Sequence, residues 1–240
     1  MDHATIRANG AAFHVARTGS GPPLLLLHGW PEFWLTWKPV MARLADRYTL
    51  IAPDLRGFGD SDKPQGPYGP DQHTDDMLAL LDALGIDRAC VVGHDVGGAV
   101  MQPLARKAPE RIAGLFFFDF VYPGIGPRMA APDRLNHIWY QSFHQMEMAP
   151  ALVGATRDSC RTYIGHFLHN WTHRKAAFDD VDRGFRRQFL QARQPRRRLR
   201  ALPRITRGTR EDDAGRSAHA AADRRADLHP MGRARPAVSL

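Results

Sequence analysis

One short segment constrains this chain more than any other. Val91-Val92-Gly93-His94-Asp95-Val96-Gly97-Gly98 joins an apolar run to a helical pattern through a small-x-Asp-x-small-small turn. A turn this sharp holds the residue at its tip in a strained conformation between strand and helix. Gly93 and Gly97 must be small because their neighbours approach closely, and Gly98 lets the helix pack. The N-terminus of the helix adds a positive field that favours an anion at Asp95. On these residues alone, Asp95 is either a carboxylate poised for attack or the N-cap of a plain glycine-rich loop.

The surrounding pattern favours a parallel sheet. Ala11–Arg17, Leu24–His28, Tyr48–Asp54, Cys90–Gly93 and Ile112–Phe118 read as strands, and Leu35–Arg47, Thr74–Leu84 and Val96–Lys107 as helices. Continuous apolar runs, rather than alternating ones, imply strands covered on both faces by helices. From Tyr122 to Asp180 the pattern changes to Pro/Gly turns and then helices rich in Trp, Tyr, His and Met. This reads as a helical insertion roofing a cavity. The expected organisation is an α/β core over 1–121, a helical cap over 122–182 and an atypical Arg-rich tail over 183–240.

The net charge of +8 suggests nucleic-acid binding until it is located. The tail carries sixteen Arg, no Lys and five acidic residues, so the first 182 residues are net negative by three. The charge belongs to the tail alone, and no nucleic-acid partner is expected. Cys90 and Cys160 are too few for a disulfide framework and read as reduced thiols. The first residues show no secretory pattern, and no apolar run is long enough to cross a bilayer. These features point to a cytoplasmic protein without a membrane partner.

Two further segments sharpen the reading of Asp95. His28-Gly29-Trp30-Pro31-Glu32 follows an apolar strand, where the Trp30 amide can pair with that of Val96 to hold negative charge. Asp54-Leu55-Arg56-Gly57-Phe58-Gly59-Asp60-Ser61-Asp62 is a glycine-punctuated loop whose charges read as structural. With these motifs in place, residues 10–182 resemble the soluble epoxide hydrolases and the related haloalkane and haloacetate dehalogenases of the α/β-hydrolase fold. The resemblance implies that Asp95 attacks carbon to form an alkyl-enzyme ester, later hydrolysed by a His-activated water. It makes Trp30 and Val96 the oxyanion hole and calls for no cofactor. Asp119 stands where haloacetate dehalogenases keep the acid that orients the His, and it also reads as a strand-end residue capping a turn.

The residues that would clamp a halide or a haloacetate carboxylate in the dehalogenases are replaced here by Val96 and Ala99. The family's epoxide hydrolases use cap tyrosines as hydrogen-bond donors to the epoxide oxygen. Tyr140 matches the first of these, Tyr163 is a weaker candidate, and either also reads as a core residue. The expected substrate is thus a small epoxide, with an organohalide as the alternative. His137, His144, His166, His169 and His173 are spread at mixed spacing; His169 and His173 stand four residues apart but lack a partner carboxylate motif, and no metal is expected.

The resemblance also requires a His after a late strand, and the chain offers only His219 and His229 there, neither preceded by an apolar run. The tail is then either a disordered basic appendage or the product of a reading-frame change near 183–193. Codons can be chosen for Arg197 to Ser239 that encode, one base later, a continuation containing HYR and WAEHDP. Its Trp is forced by Met231 followed by Gly232. In that case the last strands and the catalytic His are missing, and the chain is a truncated, inactive hydrolase.

Overall fold

The structure is a computed structural model that describes residues 1–65, 68–120 and 132–173, with side chains from 137 onward in the last stretch. The first part of the expected insertion, the tail with His219 and His229, and the question of missing strands lie outside the described residues.

The chain opens with a hairpin. Strand β1 (Asp2–Ala8) returns as β2 (Ala11–Thr18) through Asn9-Gly10, with Ala8 opposite Ala11. Both turn residues have positive φ, 44° and 71°, the two-residue geometry that suits the twist of a hairpin. Then follow β3 (Pro23–Leu27), a 3-10 turn over Trp34–Trp37, α1 (Lys38–Leu44), β4 (Thr49–Pro53) and α2 (Pro70–Ala83). The chain continues with β5 (Ala89–His94), α3 (Val96–Lys107), β6 (Ile112–Phe118), α4 (Pro132–Phe143), α5 (Ala149–Val153) and α6 (Arg157–Trp171). The helix read from Leu35 to Arg47 is broken into two shorter pieces, with Pro39 in the first turn of α1. Helix α2 begins at Pro70, four residues before the start read at Thr74, where a missing N–H costs nothing.

The six strands run in the order β1-β2-β4-β3-β5-β6. The four from β3 to β6 are mutually parallel, whereas β1, β2 and β4 pair antiparallel. Leu24 and Leu26 pack on one face with Trp37, Met41 and Leu50. Leu25 and Leu27 pack on the other with Ile51, Met77, Val91 and Met101. Burial on both faces is why β3 is uniformly apolar.

Strand β6 departs from that expectation. Its apolar run was expected to be covered on both faces, yet Phe116 is 63% exposed, and Leu115, Phe117 and Phe118 are exposed too. The reason is position: β6 lies at the end of the sheet, with no further strand beside it among the described residues.

The loop after β4 is fastened by buried polar groups. Asp54, fully buried, accepts from the amides of Trp34 and Asp60 at 2.8 Å each and pairs with His14 at 2.9 Å. Arg56 grips buried Asp76 of α2 with two nitrogens, Nε at 2.7 Å and Nη2 at 2.5 Å, and also donates to the Asn9 carbonyl. One guanidinium thus joins the loop, α2 and the hairpin turn. Asp76→Asn removes that guanidinium's hydrogen-bonded counter-charge and is expected to lower stability by about 3–5 kcal/mol, read from the urea midpoint. A loss under about 1 kcal/mol contradicts this account of the loop.

Candidate active site

The strand order turns around at β3: the chain steps to β4 on one side and then to β5 on the other. The carboxyl ends of β3 and β5 therefore face a common crevice, the usual position for a site in an open parallel sheet. Leu27 is in register with Gly93, which sets His28–Glu32 beside His94–Val96.

Asp95 stands at the tip of the turn with φ 50° and ψ −108°. This strained backbone is held from several directions. The Gly97 amide donates to the His28 carbonyl at 3.1 Å, and a Cβ on Gly97 would collide with the Leu27 carbonyl. A Cβ on Gly93 would strike the Gly97 backbone at 2.6 Å, and one on Gly98 would meet the Phe120 Cβ at 2.8 Å. The strand and the helix cannot pack this closely around any larger residue.

His28 fixes the opposite wall. It is fully buried, and the Leu55 amide donates to its Nε2 at 3.0 Å, so Nδ1 carries the hydrogen that reaches the Gly29 carbonyl at 2.9 Å. Burial lowers its pKa, and the ring is neutral. Its part is to shape the Gly29–Glu32 turn, which contains a cis bond between Trp30 and Pro31. That turn presses on the elbow so closely that a Cβ on Gly29 would lie 2.6 Å from the Asp95 Cβ. As a result the Trp30 amide donates to Asp95 Oδ1 at 2.7 Å, and the Val96 amide also hydrogen-bonds the carboxylate.

Burial dominates the electrostatics of Asp95 and raises its pKa from 3.8 to about 6, against the opposing effect of the two amides and of His94. His94 moves the other way overall. Burial would lower its pKa, but Glu32, Asp95 and Asp119 outweigh that and raise it to about 9. Its Nδ1 lies 2.9 Å from Glu32 Oε2, and its Nε2 lies 3.4 Å from Asp119 Oδ2. Glu32 is held below the ordinary carboxylate range by its hydrogen bond to His94, despite its burial. The sequence reading passed over Glu32. A signal was present, because an acid in a turn pressed against a glycine-flanked carboxylate must find a cation.

Asp119 sits at the end of β6 with φ 50°, its side chain 85% exposed. Among the described residues, the imidazole it faces is His94. Tyr140 stacks on Trp30, with ring centres 5.3 Å apart and planes 8° off parallel. Its hydroxyl stays protonated, because burial and the charges of Asp95 and Asp119 raise its pKa. Tyr163 is engaged elsewhere: its hydroxyl donates to His144 Nε2 at 2.6 Å, and burial keeps His144 neutral, with a pKa of about 4. Phe167 and Trp171 close the cluster against Trp30. Trp30 therefore offers its amide to Asp95 and its indole to the helices after β6. Among the described residues no three His, Cys, Asp or Glu side chains are grouped to hold a metal, and no helix is long and apolar enough to cross a membrane.

The profile of the α/β-hydrolase fold family matches residues 22–201. The chain belongs to that family, on the branch that contains epoxide hydrolases. A soluble epoxide hydrolase of Corynebacterium sp. (strain C12) is 40% identical over 173 residues, covering 70% of this chain and 59% of that protein. Epoxide hydrolase 2 of Siraitia grosvenorii is 44% identical over 118 residues, covering 48% of this chain and 37% of that protein. The solved structure of epoxide hydrolase CorEH without ligand superposes with a TM-score of 0.78 at 30% identity, over 89% of this chain and 77% of that one. The chain thus spans under two thirds of the length of these two curated relatives.

A carboxyl whose pKa is higher in the folded than in the unfolded protein contributes stability at low pH. For Asp95 that contribution is complete below about pH 3.8 and is lost as the pH rises through about 6. At neutral pH the ionised group costs up to about 3 kcal/mol. Asp95→Asn is therefore expected to unfold at a higher temperature than the wild type at pH 8, by roughly 2–4 °C per kcal/mol recovered, with the gap narrowing as the pH falls below about 6 and closing near 3.8. Melting followed by circular dichroism across that range checks it, and a gap that does not depend on pH contradicts it.

Proposed function

We propose that this chain carries the nucleophilic half-site of an epoxide hydrolase, with Asp95 as the attacking group. The observation that supports this most is the convergence of the Trp30 and Val96 amides on one carboxylate at a strained strand-to-helix turn. A pKa of about 6 makes Asp95 more basic than an ordinary carboxylate while leaving it ionised at pH 7 to 8. In the proposed step an Asp95 oxygen bonds to an epoxide carbon, and that carbon's bond to the ring oxygen breaks. The ring oxygen keeps the electron pair and takes the hydroxyl proton of Tyr140. Water then attacks the ester carbonyl and gives a proton to its base, and the two amides hold the oxyanion that develops. Collapse breaks the acyl carbon's bond to the alkyl oxygen; the departing alkoxide takes the proton from the base to complete the diol, and the proton left on the Asp95 carboxyl returns to Tyr140. The base for that water, a His in the resembling family, falls outside the described residues, and so does any second cap tyrosine.

Epoxide is preferred over organohalide because the clamp positions are Val96 and Ala99, and because the relatives cited above are epoxide hydrolases by name. The orienting role of Asp119 and the roofing role of α4 to α6 belong to the same reading. So does a reducing compartment, in keeping with Cys90 and Cys160, neither of which is in a disulfide. A chain that lacks its activating His would form the ester and stall, which is the second reading.

Incubation with styrene oxide in heavy-oxygen water distinguishes these outcomes. Diol formation with label in the Asp95 side chain supports hydrolysis through the ester. Ester without diol supports the stalled form. Release of fluoride or chloride from haloacetates or haloalkanes, with no reaction towards epoxide, overturns the assignment in favour of a dehalogenase.

A further inference from the structure

The Glu32–His94 pair is not used by the reaction steps above, yet it lies directly behind the reacting carboxylate. We propose that His94, as a doubly protonated imidazolium, is the positioning residue that keeps the Trp30 amide on Asp95 by tying the Gly29–Glu32 turn to the end of β5. The inference rests on the reading of Asp95 as the nucleophile and adds the group that sets its geometry and its upper pH limit.

The contacts form a closed loop. His94 immediately precedes Asp95, and both of its ring nitrogens face carboxylates, Glu32 at 2.9 Å and Asp119 at 3.4 Å. A neutral imidazole has a single N–H and can satisfy only one of them; the cation satisfies both. Glu32 in turn closes the turn that carries Trp30. Its amide donates to the Gly29 carbonyl at 3.0 Å, its Oε1 accepts from the Thr36 hydroxyl at 3.1 Å, and its Oε2 lies 3.4 Å from the Gly29 amide. Gly29 has no room to shift towards the elbow, since a Cβ there would meet His94 Nδ1 at 3.1 Å. The ring itself is held against Phe118, with centres 4.9 Å apart and planes 20° off parallel.

Charge makes the arrangement depend on one proton. Three carboxylates face His94: Glu32 from the turn after β3, Asp95 from its own turn and Asp119 from the end of β6. The other imidazole nearby, His28, is neutral. Asp119 is mostly in solvent and contributes least. Glu32 and Asp95 lie within electrostatic reach of each other, and both act on the charge of His94. When that proton leaves, the repulsion between the two anions is no longer offset, and on this proposal the turn carrying the Trp30 amide yields. The upward displacement of the His94 pKa to about 9 agrees with this arrangement.

The test uses the full chain labelled with nitrogen-15, as wild type, Glu32→Gln and Glu32→Asp. In the wild type, both His94 ring nitrogens should stay protonated until about pH 9, and the Trp30 amide resonance should lose its downfield shift in the same interval. In Glu32→Gln both events should move down together by at least about one unit, because the main stabilising charge is gone. The rate of ester formation at Asp95 from styrene oxide, read by intact mass, should lose its upper limb at the same lower pH. It should be roughly three-fold slower than wild type at pH 8.5 for a shift of one unit. Glu32→Asp keeps the charge and should restore the wild-type limb in part; it also serves if Glu32→Gln does not fold. A purely structural pair would lower the melting temperature and leave the limb in place, which overturns the proposal. So does a wild-type His94 that titrates near 6.5. Should the wild type form no ester at any pH, the nucleophile reading fails, and the nitrogen-15 titration still decides the role of His94.

Discussion

Two backbone amides from different loops meet on one carboxylate, and most of the molecule can be understood as the means of bringing them there. One amide, that of Val96, comes from the first residue of α3 and needs only the sharp turn. The other, that of Trp30, belongs to a different crossover and reaches Asp95 only because β3 and β5 are neighbours in register. The parallel pairing, the missing side chains at Gly29, Gly93 and Gly97, and the buried His28 all serve that approach. Any substitution that moves β3 against β5 by a few tenths of an ångström is felt at the same place.

The arrangement concentrates negative charge. Burial raises the energy of ionised Asp95, and Glu32 stands close by with a carboxylate of its own. In an apolar site such a pair would be resolved by protonation. Here the His94 ring lies against Glu32 with its pKa raised to about 9 by the surrounding carboxylates, and Asp95 is ionised above about pH 6. The cost appears as a stability penalty at Asp95, in keeping with functional sites being less stable than the scaffold around them.

Much of this was legible in the sequence, for identifiable reasons. The elbow could be read because close packing tolerates only glycine at Gly93 and Gly97. The parallel core could be read because Leu24–Leu27 and Leu50–Ile51 are buried on both faces. Strand β1 could not, since its residues are mostly exposed and carry no apolar signal; only the Asn9-Gly10 turn announces it. Strand β6 was legible as an apolar run, and among the described residues it ends the sheet with its aromatics exposed. Glu32 was missed because a turn acid has no periodicity, and its partner His94 lies 62 residues away in the chain. The stacking of Tyr140 on Trp30 and the engagement of Tyr163 by His144 depend on helix orientation, which side-chain spacing does not encode.

The central claim is that Asp95 is chemically set apart from the chain's other carboxylates. The direct measurement is exposure to excess styrene oxide at pH 7.5, followed by proteolysis and peptide mass spectrometry. The account predicts a single phenyl-hydroxyethyl ester on the peptide containing residue 95, absent after Asp95→Asn. Modification spread over surface carboxylates or confined to Cys90, with residue 95 untouched, contradicts it.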